Sequence, residues 1–144
     1  MIAVDTNLLV YCHRSDSDWH EAADRCIANL AEGQAPWAIP WPCIHEFLAI
    51  VTNSRIYQPA TPLQHALEQV ECWLESPSLQ LLSETGNYWQ VLRKMTEAAK
   101  STGGSIHDAR VAALCVHHEA KELWTADRDF LRFPGLRVAN PLSK

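Results

Sequence analysis

The chain has 144 residues, of which 47% are hydrophobic and 20% are charged, so it has the composition of a folded domain and not of a disordered segment. Its 17 acidic residues exceed its 12 Lys and Arg, giving a net charge of −5. This balance disfavours a general nucleic-acid-coating protein, which needs a basic surplus. It permits a polyanionic substrate only if something other than the protein neutralises the phosphates. The five cysteines form no CxxC pair, which favours reduced thiols over a disulfide framework or a zinc site.

The N-terminus and the hydropathy pattern bear on where the protein acts. The first apolar run, residues 1–4, ends at Asp5, before the hydrophobic region of a signal peptide could form. No apolar run approaches the roughly 18 residues that a membrane-spanning helix needs. We therefore expect a cytoplasmic protein with no membrane contact, and a single domain over residues 1–144.

Apolar periodicity predicts strands and helices that alternate along the chain. The expected strands cover residues 1–4, 36–40, 79–82, 122–125 and, more weakly, 136–139. Thr6 and Asn7 offer cap chemistry before the apolar run at residues 8–11, and further helices are expected at residues 17–30, 41–52, 62–74, 87–100 and 106–119. The side chains expected to cap helices are Ser17, Thr61 and Ser105. The alternation predicts an α/β fold with a mostly parallel sheet of four to five strands, covered by helices on both faces.

Four acidic residues stand at places where this fold binds ligands, beyond the carboxyl ends of its strands. Asp5 closes the first strand, and Asp127 follows the fourth. Glu46 and Asp108 lie in the first turns of two helices, where the helix dipole favours a carboxylate. Each acid alone has an ordinary explanation as a turn or surface residue. Together they predict a shared carboxylate site at one edge of the sheet.

Converging carboxylates repel one another, and burial would raise their pKa values until some became neutral. A hard divalent cation such as Mg²⁺ removes this conflict, because it binds carboxylate and phosphate oxygens. Such a site suits phosphodiester hydrolysis, in which the cation activates water and stabilises charge on the phosphate. Two alternatives stay open: a phosphatase with Asp5 as nucleophile, disfavoured because Asp5-Thr6-Asn7 lacks a second Asp, and a partner-binding module without catalysis.

Four spaced motifs carry a resemblance that spans essentially the whole chain. They are Asp5-Thr6-Asn7, His45-Glu46-Phe47 followed by Asn53-Ser54, Ile106-His107-Asp108-Ala109, and Thr125-Ala126-Asp127-Arg128-Asp129-Phe130. In this order they resemble the PIN-domain ribonucleases, and most closely the VapC toxins of type II toxin–antitoxin pairs. The resemblance implies a PIN-like three-layer α/β/α fold and a Mg²⁺-dependent endoribonuclease, with Mn²⁺ able to take the place of Mg²⁺.

The resemblance also assigns site residues. Asp5, Glu46, Asp108 and Asp127 match the four catalytic, metal-binding acids of the family, with Asp129 as an alternative to Asp127. The residues expected to support these acids are Thr6, Asn7, Thr125 and His107. The implied partners are an RNA substrate, a cognate VapB-type antitoxin that blocks the acidic site, and a second copy of the chain in a homodimer.

Two further groups of residues have open interpretations. Trp19 and Trp73 lie on amphipathic helices, where each could pack in the core or contact a partner. Five arginines near the motifs could bind phosphates or be solvated surface charges. They are Arg14, Arg55, Arg110, Arg128 and Arg132.

Overall fold

A computed structural model describes residues 1–142, so the last two residues of the predicted domain lie outside the described part. The helices are α1 (Thr6–His13), α2 (His20–Glu32), α3 (Trp41–Val51), α4 (Leu63–Leu74), α5 (Tyr88–Ala99) and α6 (Ser105–His117). The strands are β1 (Ile2–Val4), β2 (Trp37–Pro40), β3 (Leu79–Leu82), β4 (Glu122–Trp124) and β5 (Arg137–Ala139). Within residues 1–142, no helix combines the length and apolar character needed to cross a membrane.

The five strands form one parallel sheet in the order β3-β2-β1-β4-β5. Helices connect parallel strands because each crossover must return the chain to the same end of the sheet. The predicted α/β class, with a three-layer α/β/α arrangement, is therefore confirmed. β1 lies at the centre between β2 and β4, with Ala3 paired to both Ala38 and Leu123. The residue that follows β1 therefore emerges in the middle of the carboxyl edge of the sheet.

The core lies where helices cover the sheet. All four residues of β2 are buried, as expected for an inner strand of a sheet covered on both faces. On one side, the rings of Phe47 in α3 and Trp73 in α4 pack edge to face with their centroids 4.8 Å apart. Trp73 is only 4% exposed, so it is a core residue and not a partner contact. Trp19 is 48% exposed and remains available to a partner.

The helix cap predicted at Thr61 is wrong, because the hydroxyl of Thr61 is used by another element. Its Oγ1 lies 3.0 Å from His13 Nε2 and accepts a hydrogen bond of 3.3 Å from Arg14 Nη1. α4 begins two residues later, with no side-chain cap. Thr61 therefore ties the end of α1 to the loop before α4.

The caps predicted at Ser17 and Ser105 are also displaced. Ser17 Oγ accepts the backbone N–H of Trp19 at 3.1 Å, so it closes the turn before α2. Ser105 is itself the first residue of α6, and its hydroxyl hydrogen-bonds the backbone of Thr102 at 2.7 and 2.9 Å. Short hydroxyl side chains bond nearby backbone groups in turns as readily as at helix ends, which explains both differences. The short 3-10 helix Arg128–Arg132, which follows β4, is not among the predicted elements.

Candidate active site

Asp5 is the buried centre of the site, with 6% of its surface exposed. Its backbone N–H continues the sheet by donating to the carbonyl of Trp124 at 3.0 Å. Thr125 Oγ1 donates to Asp5 Oδ2 at 2.7 Å, and the thiol of Cys43 donates to Oδ1 at 3.6 Å. Donors from the residue after β4 and from α3 therefore hold both oxygens of the carboxylate.

Burial raises the pKa of Asp5 from 3.8 to about 6, because a charged carboxylate loses its hydration inside the protein. The hydrogen bonds from Thr125 and from the backbone of Thr6 lower the pKa, but they do not offset the loss of water. The negative charge of Glu46 raises it further. The buried carboxylate of Asp5 therefore needs a nearby positive charge if its ionised form is not to destabilise the protein.

Thr125 joins Asp5 to the loop that carries the fourth acid. Besides donating to Asp5, its Oγ1 accepts hydrogen bonds from Asn7 Nδ2 and from the backbone N–H of Asp127, both at 3.0 Å. A hydroxyl offers one proton and two lone pairs, so this group is saturated and its proton is directed at Asp5. Asn7 also accepts the backbone N–H of Ala126 at 3.1 Å and donates to Asp5 Oδ2 at 3.3 Å.

Loss of the Thr125 hydroxyl should destabilise the protein. Thr125→Val leaves the backbone N–H of Asp127 without its acceptor, takes one of two acceptors from Asn7 Nδ2 and removes the shortest donor to Asp5. These losses should cost about 3 kcal/mol. Thr125→Ser keeps the hydroxyl and should cost less than half as much. Urea unfolding of both variants measures the difference, and equal stabilities would show that the hydroxyl is not what holds this loop.

Three acids form a compact trio, and Asp5 lies outside it. One carboxylate oxygen from each of Asp108, Asp127 and Asp129 lies within 4.8 Å of the other two. Asp108 comes from the first turn of α6, and the other two flank the start of the 3-10 helix, where Asp127 Oδ1 accepts the backbone N–H of Asp129 at 2.9 Å. The structure thus brings both alternatives for the fourth acid to Asp108, where the sequence offered one or the other.

The charges of neighbouring acids, including Glu46, influence the pKa of Asp108. Burial raises the pKa of Asp108, and the charges of Asp127 and Asp129 raise it further, with the charge of Arg132 acting against them. Glu46 lies outside the trio and is exposed on α3. Its charge nevertheless contributes to the raised pKa values of both Asp5 and Asp108.

The predicted supporting residues occupy different positions. Asn7 and Thr125 contact Asp5 directly, and Thr6 contributes its backbone N–H. His107 is exposed next to Asp108 and lines a cleft together with Glu46.

Cys43 is the contact that sequence reasoning missed. The signal was its position three residues before Glu46, which puts both side chains on one face of α3.

The arginines divide between this site and other parts of the surface. Arg14 pairs with Asp16 at 2.7 Å and packs 4.3 Å above the ring of Tyr57, so it holds the loop before α4. Arg132 Nη2 lies 3.9 Å from Asp129. Arg110 lines the same cleft as Glu46.

The donor set fits a hard divalent cation. All the groups brought together are carboxylates, whose oxygens are the ligands that Mg²⁺ and Mn²⁺ prefer. Burial and neighbouring negative charges raise the pKa values of Asp5 and Asp108, a conflict that a bound cation would relieve. Among residues 1–142, this trio is the one group of metal-ligating side chains close enough to share an ion.

The fold and the site together define an α/β domain with a carboxylate centre at the carboxyl edge of its parallel sheet. Residues 2–136 match the family model of the PIN domain, and the chain belongs to this family. It is 33% identical to ribonuclease VapC43 of Mycobacterium tuberculosis, over 99% of this chain and 96% of that protein. It is 27% identical to ribonuclease VapC48 of the same species, over 96% of each. The resemblance expected from the four motifs is confirmed.

Solved structures with the same fold include VapBC2 from Rickettsia felis bound to a promoter DNA fragment. Its matching chain has a TM-score of 0.68 and 20% identity, and the match covers 97% of this chain and 98% of that one. Mycobacterium tuberculosis VapC20, described as a sarcin-ricin-loop-cleaving toxin, has a TM-score of 0.67 and 16% identity, with coverage of 95% and 99%. At these identities the likeness concerns the fold.

Proposed function

We propose that this protein is a divalent-metal-dependent endoribonuclease that acts in the cytoplasm as the toxin of a VapBC-type toxin–antitoxin pair. One observation carries the proposal: buried Asp5 is tied through Thr125 to the loop of Asp127 and Asp129, which meets Asp108 at the edge of the sheet. The full-length similarity to proteins named VapC ribonucleases supports RNA as the substrate.

The metal would be Mg²⁺, or Mn²⁺ in its place, held by Asp5, Asp108 and Asp127 with help from Asp129 and Glu46. When bound, the cation makes water more acidic and stabilises negative charge on the scissile phosphate. The protein supplies the preorganised carboxylates: Thr125 and Cys43 fix the orientation of Asp5, and the 3-10 helix fixes that of Asp127.

Glu46 is suited to accept the proton of the attacking water. It is exposed on the wall of the cleft, whereas Asp5 is buried, which favours the protonated form of the Asp5 carboxyl. In this hydrolysis the water oxygen bonds to phosphorus, its proton passes to Glu46, and the bond from phosphorus to the leaving ribose oxygen breaks. Solvent protonates the leaving oxygen.

The proposed partners are a VapB-type antitoxin and a second copy of this chain. The structural neighbours include VapBC assemblies, which supports an antitoxin. A basic antitoxin segment would match the acidic trio by charge and could occupy it in place of a cation.

The two alternative functions have less support. As a phosphatase nucleophile, Asp5 would need exposure and a free oxygen, but it is 6% exposed and both its oxygens accept hydrogen bonds. A module that only binds partners would not need a buried carboxylate tied by hydrogen bonds to the loop of an acidic trio.

The proposal is tested by incubating the purified, antitoxin-free chain with total cellular RNA and Mg²⁺. We expect discrete cleavage products that disappear with EDTA and return when Mn²⁺ is added. Addition of the small protein encoded next to the gene should suppress them. Absence of cleavage with either cation, together with no heat of Mn²⁺ binding in calorimetry, would overturn the proposal.

A further inference from the structure

A cleft of about 320 Å³ opens between the first turns of α3 and α6, next to the acids. We call it the α3–α6 cleft and define it by Thr6, His45, Glu46, His107 and Arg110. Two residues of its wall are chain neighbours of the acids: Thr6 follows Asp5, and His107 precedes Asp108. Glu46 itself lines the cleft, which links the cleft to the candidate active site.

A second cleft has one of the trio, Asp127, in its wall. A cleft of about 420 Å³ is lined by Thr125, Asp127, Arg128 and Leu131 among others. An enzyme that cuts within a polynucleotide must hold the chain on both sides of the broken bond. The two clefts, one lined by Glu46 and the other by Asp127, provide room for this.

The α3–α6 cleft offers a flat aromatic surface. The imidazole of His45 stacks on the indole of Trp41 one helical turn earlier, with ring centroids 6.2 Å apart and planes 27° from parallel. His45 itself is exposed. Single-stranded RNA is commonly bound by stacking its bases on such side chains.

The same cleft offers a positioned cation. Both Nε and Nη2 of Arg110 contact Oε1 of Glu84 at 2.8 Å, which fixes the guanidinium. Its third nitrogen, Nη1, makes no hydrogen bond to any residue in the range 1–142, and 41% of the side chain is exposed. A planar guanidinium with a nitrogen left over for a ligand suits a phosphate group, and the exposed His107 is a second donor.

We propose that the α3–α6 cleft binds the RNA nucleotide adjacent to the scissile phosphate, with its base against His45 and its phosphate on Arg110 and His107. This inference rests on the proposed ribonuclease function. The cleft brings cationic and aromatic groups to a chain of net charge −5, at the place where a phosphate must approach carboxylates.

The test measures binding of a fluorescently labelled, mixed-sequence, single-stranded 2′-O-methyl RNA dodecamer to the full chain with Mg²⁺ present, by fluorescence anisotropy. We expect Arg110→Gln to raise the Kd about tenfold, and His45→Ala and His107→Ala to raise it about fivefold each. Arg93→Gln is the matched control, since Arg93 also pairs with a glutamate at 2.8 Å but lies on α5, and its Kd should stay within twofold of the wild type.

Glu84→Gln separates RNA contact from a purely structural role of Arg110. This variant breaks the same ion pair, so a structural role predicts a loss of RNA affinity equal to that of Arg110→Gln. The proposal predicts unchanged or tighter binding, because the negative charge against the guanidinium is removed while the guanidinium remains. Thermal melting confirms that each variant is folded, and equal losses in the two variants would overturn the proposal.

Further outcomes distinguish failure of the proposed nucleotide-binding cleft from failure of the proposed ribonuclease activity. A wild-type protein that cuts RNA, with all three cleft variants within twofold of its Kd, overturns the subsite and leaves the ribonuclease standing. Cleft-dependent RNA binding without cleavage overturns the ribonuclease and leaves the subsite. The variants should bind Mn²⁺ as the wild type does, and a loss of Mn²⁺ binding would reassign these residues to the metal site.

Discussion

Asp108→Asn should lower the rate of RNA cleavage about 1,000-fold while leaving the protein folded. The substitution removes one of three carboxylates that lie within 4.8 Å of one another, and with it a charge that a divalent cation requires. The fold should tolerate the change, because burial and the neighbouring acids already disfavour the charged form of Asp108. Initial cleavage rates at saturating Mg²⁺ measure the loss.

The matched control is Asp18→Asn, which removes an exposed acid in the loop before α2 and should leave the rate unchanged. A fall in rate of less than tenfold for Asp108→Asn would remove Asp108 from the set of metal-binding residues. A large fall accompanied by a lowered melting temperature would indicate a structural role instead.

In the presence of a chelator, the wild-type protein should lose stability as the pH rises from about 4 to about 6, because of Asp5. The folded protein keeps the proton of Asp5 up to a pKa of about 6, whereas the unfolded chain releases it near 3.8. The folded state binds more protons in this window, so the free energy of unfolding falls as the pH rises. Above pH 6, the raised pKa of Asp5 lowers the free energy of unfolding by about 3 kcal/mol.

Asp5→Asn should remove this cost and be inactive. The side-chain carbonyl of Asn can keep the hydrogen bond from Thr125, and its amide then faces the weaker thiol donor of Cys43. Urea unfolding in EDTA at several pH values measures the difference between the two proteins, in which contributions from the other carboxylates cancel. We expect the variant to be the more stable protein at pH 7 and the difference to shrink toward pH 4.

Saturating Mg²⁺ should reverse this order at pH 7 by stabilising only the wild type. A variant that is less stable than the wild type at pH 7 in EDTA would show that ionised Asp5 is stabilising without a cation. That result would contradict the claim that the buried carboxylate of Asp5 needs a cation to be stable in its ionised form.

The acidic surplus takes on a definite meaning in the folded protein. Asp5, Glu46, Asp108, Asp127 and Asp129 all lie in or around the candidate site. The other twelve acidic residues equal the Lys and Arg in number. An acidic chain is thus compatible with an RNA substrate, provided that a cation binds first and that basic groups such as Arg110 guide the phosphate.

The sequence predicts the fold and the location of the acids because both follow from strand order. Asp5 and Asp127 each follow a strand, and the carboxyl ends of parallel strands share an edge. Asp108 and Glu46 occupy early turns of helices next to that edge. The order of the strands and helices is therefore enough to predict that these four residues lie in one region of the sheet, without knowledge of any tertiary contact.

The details that the sequence does not predict depend on tertiary partners. Thr61 is a residue type that commonly caps helices, but its hydroxyl hydrogen-bonds instead to His13 and Arg14, about 47 residues earlier in the chain. From the sequence, Cys43 is expected to be only a core thiol, and its hydrogen bond of 3.6 Å to Asp5 is evident only in the folded structure. The choice between Asp127 and Asp129 depended on the 3-10 helix, which turns both toward Asp108.

The most direct test of the central claim is to map new RNA 5′ ends in cells after brief induction of the chain, with Asp5→Asn expressed to the same level. A metal-dependent endoribonuclease predicts discrete new ends with the wild-type chain and none with the variant. No new ends with the wild type, or the same ends with Asp5→Asn, would contradict an RNA-cutting role for this carboxylate site.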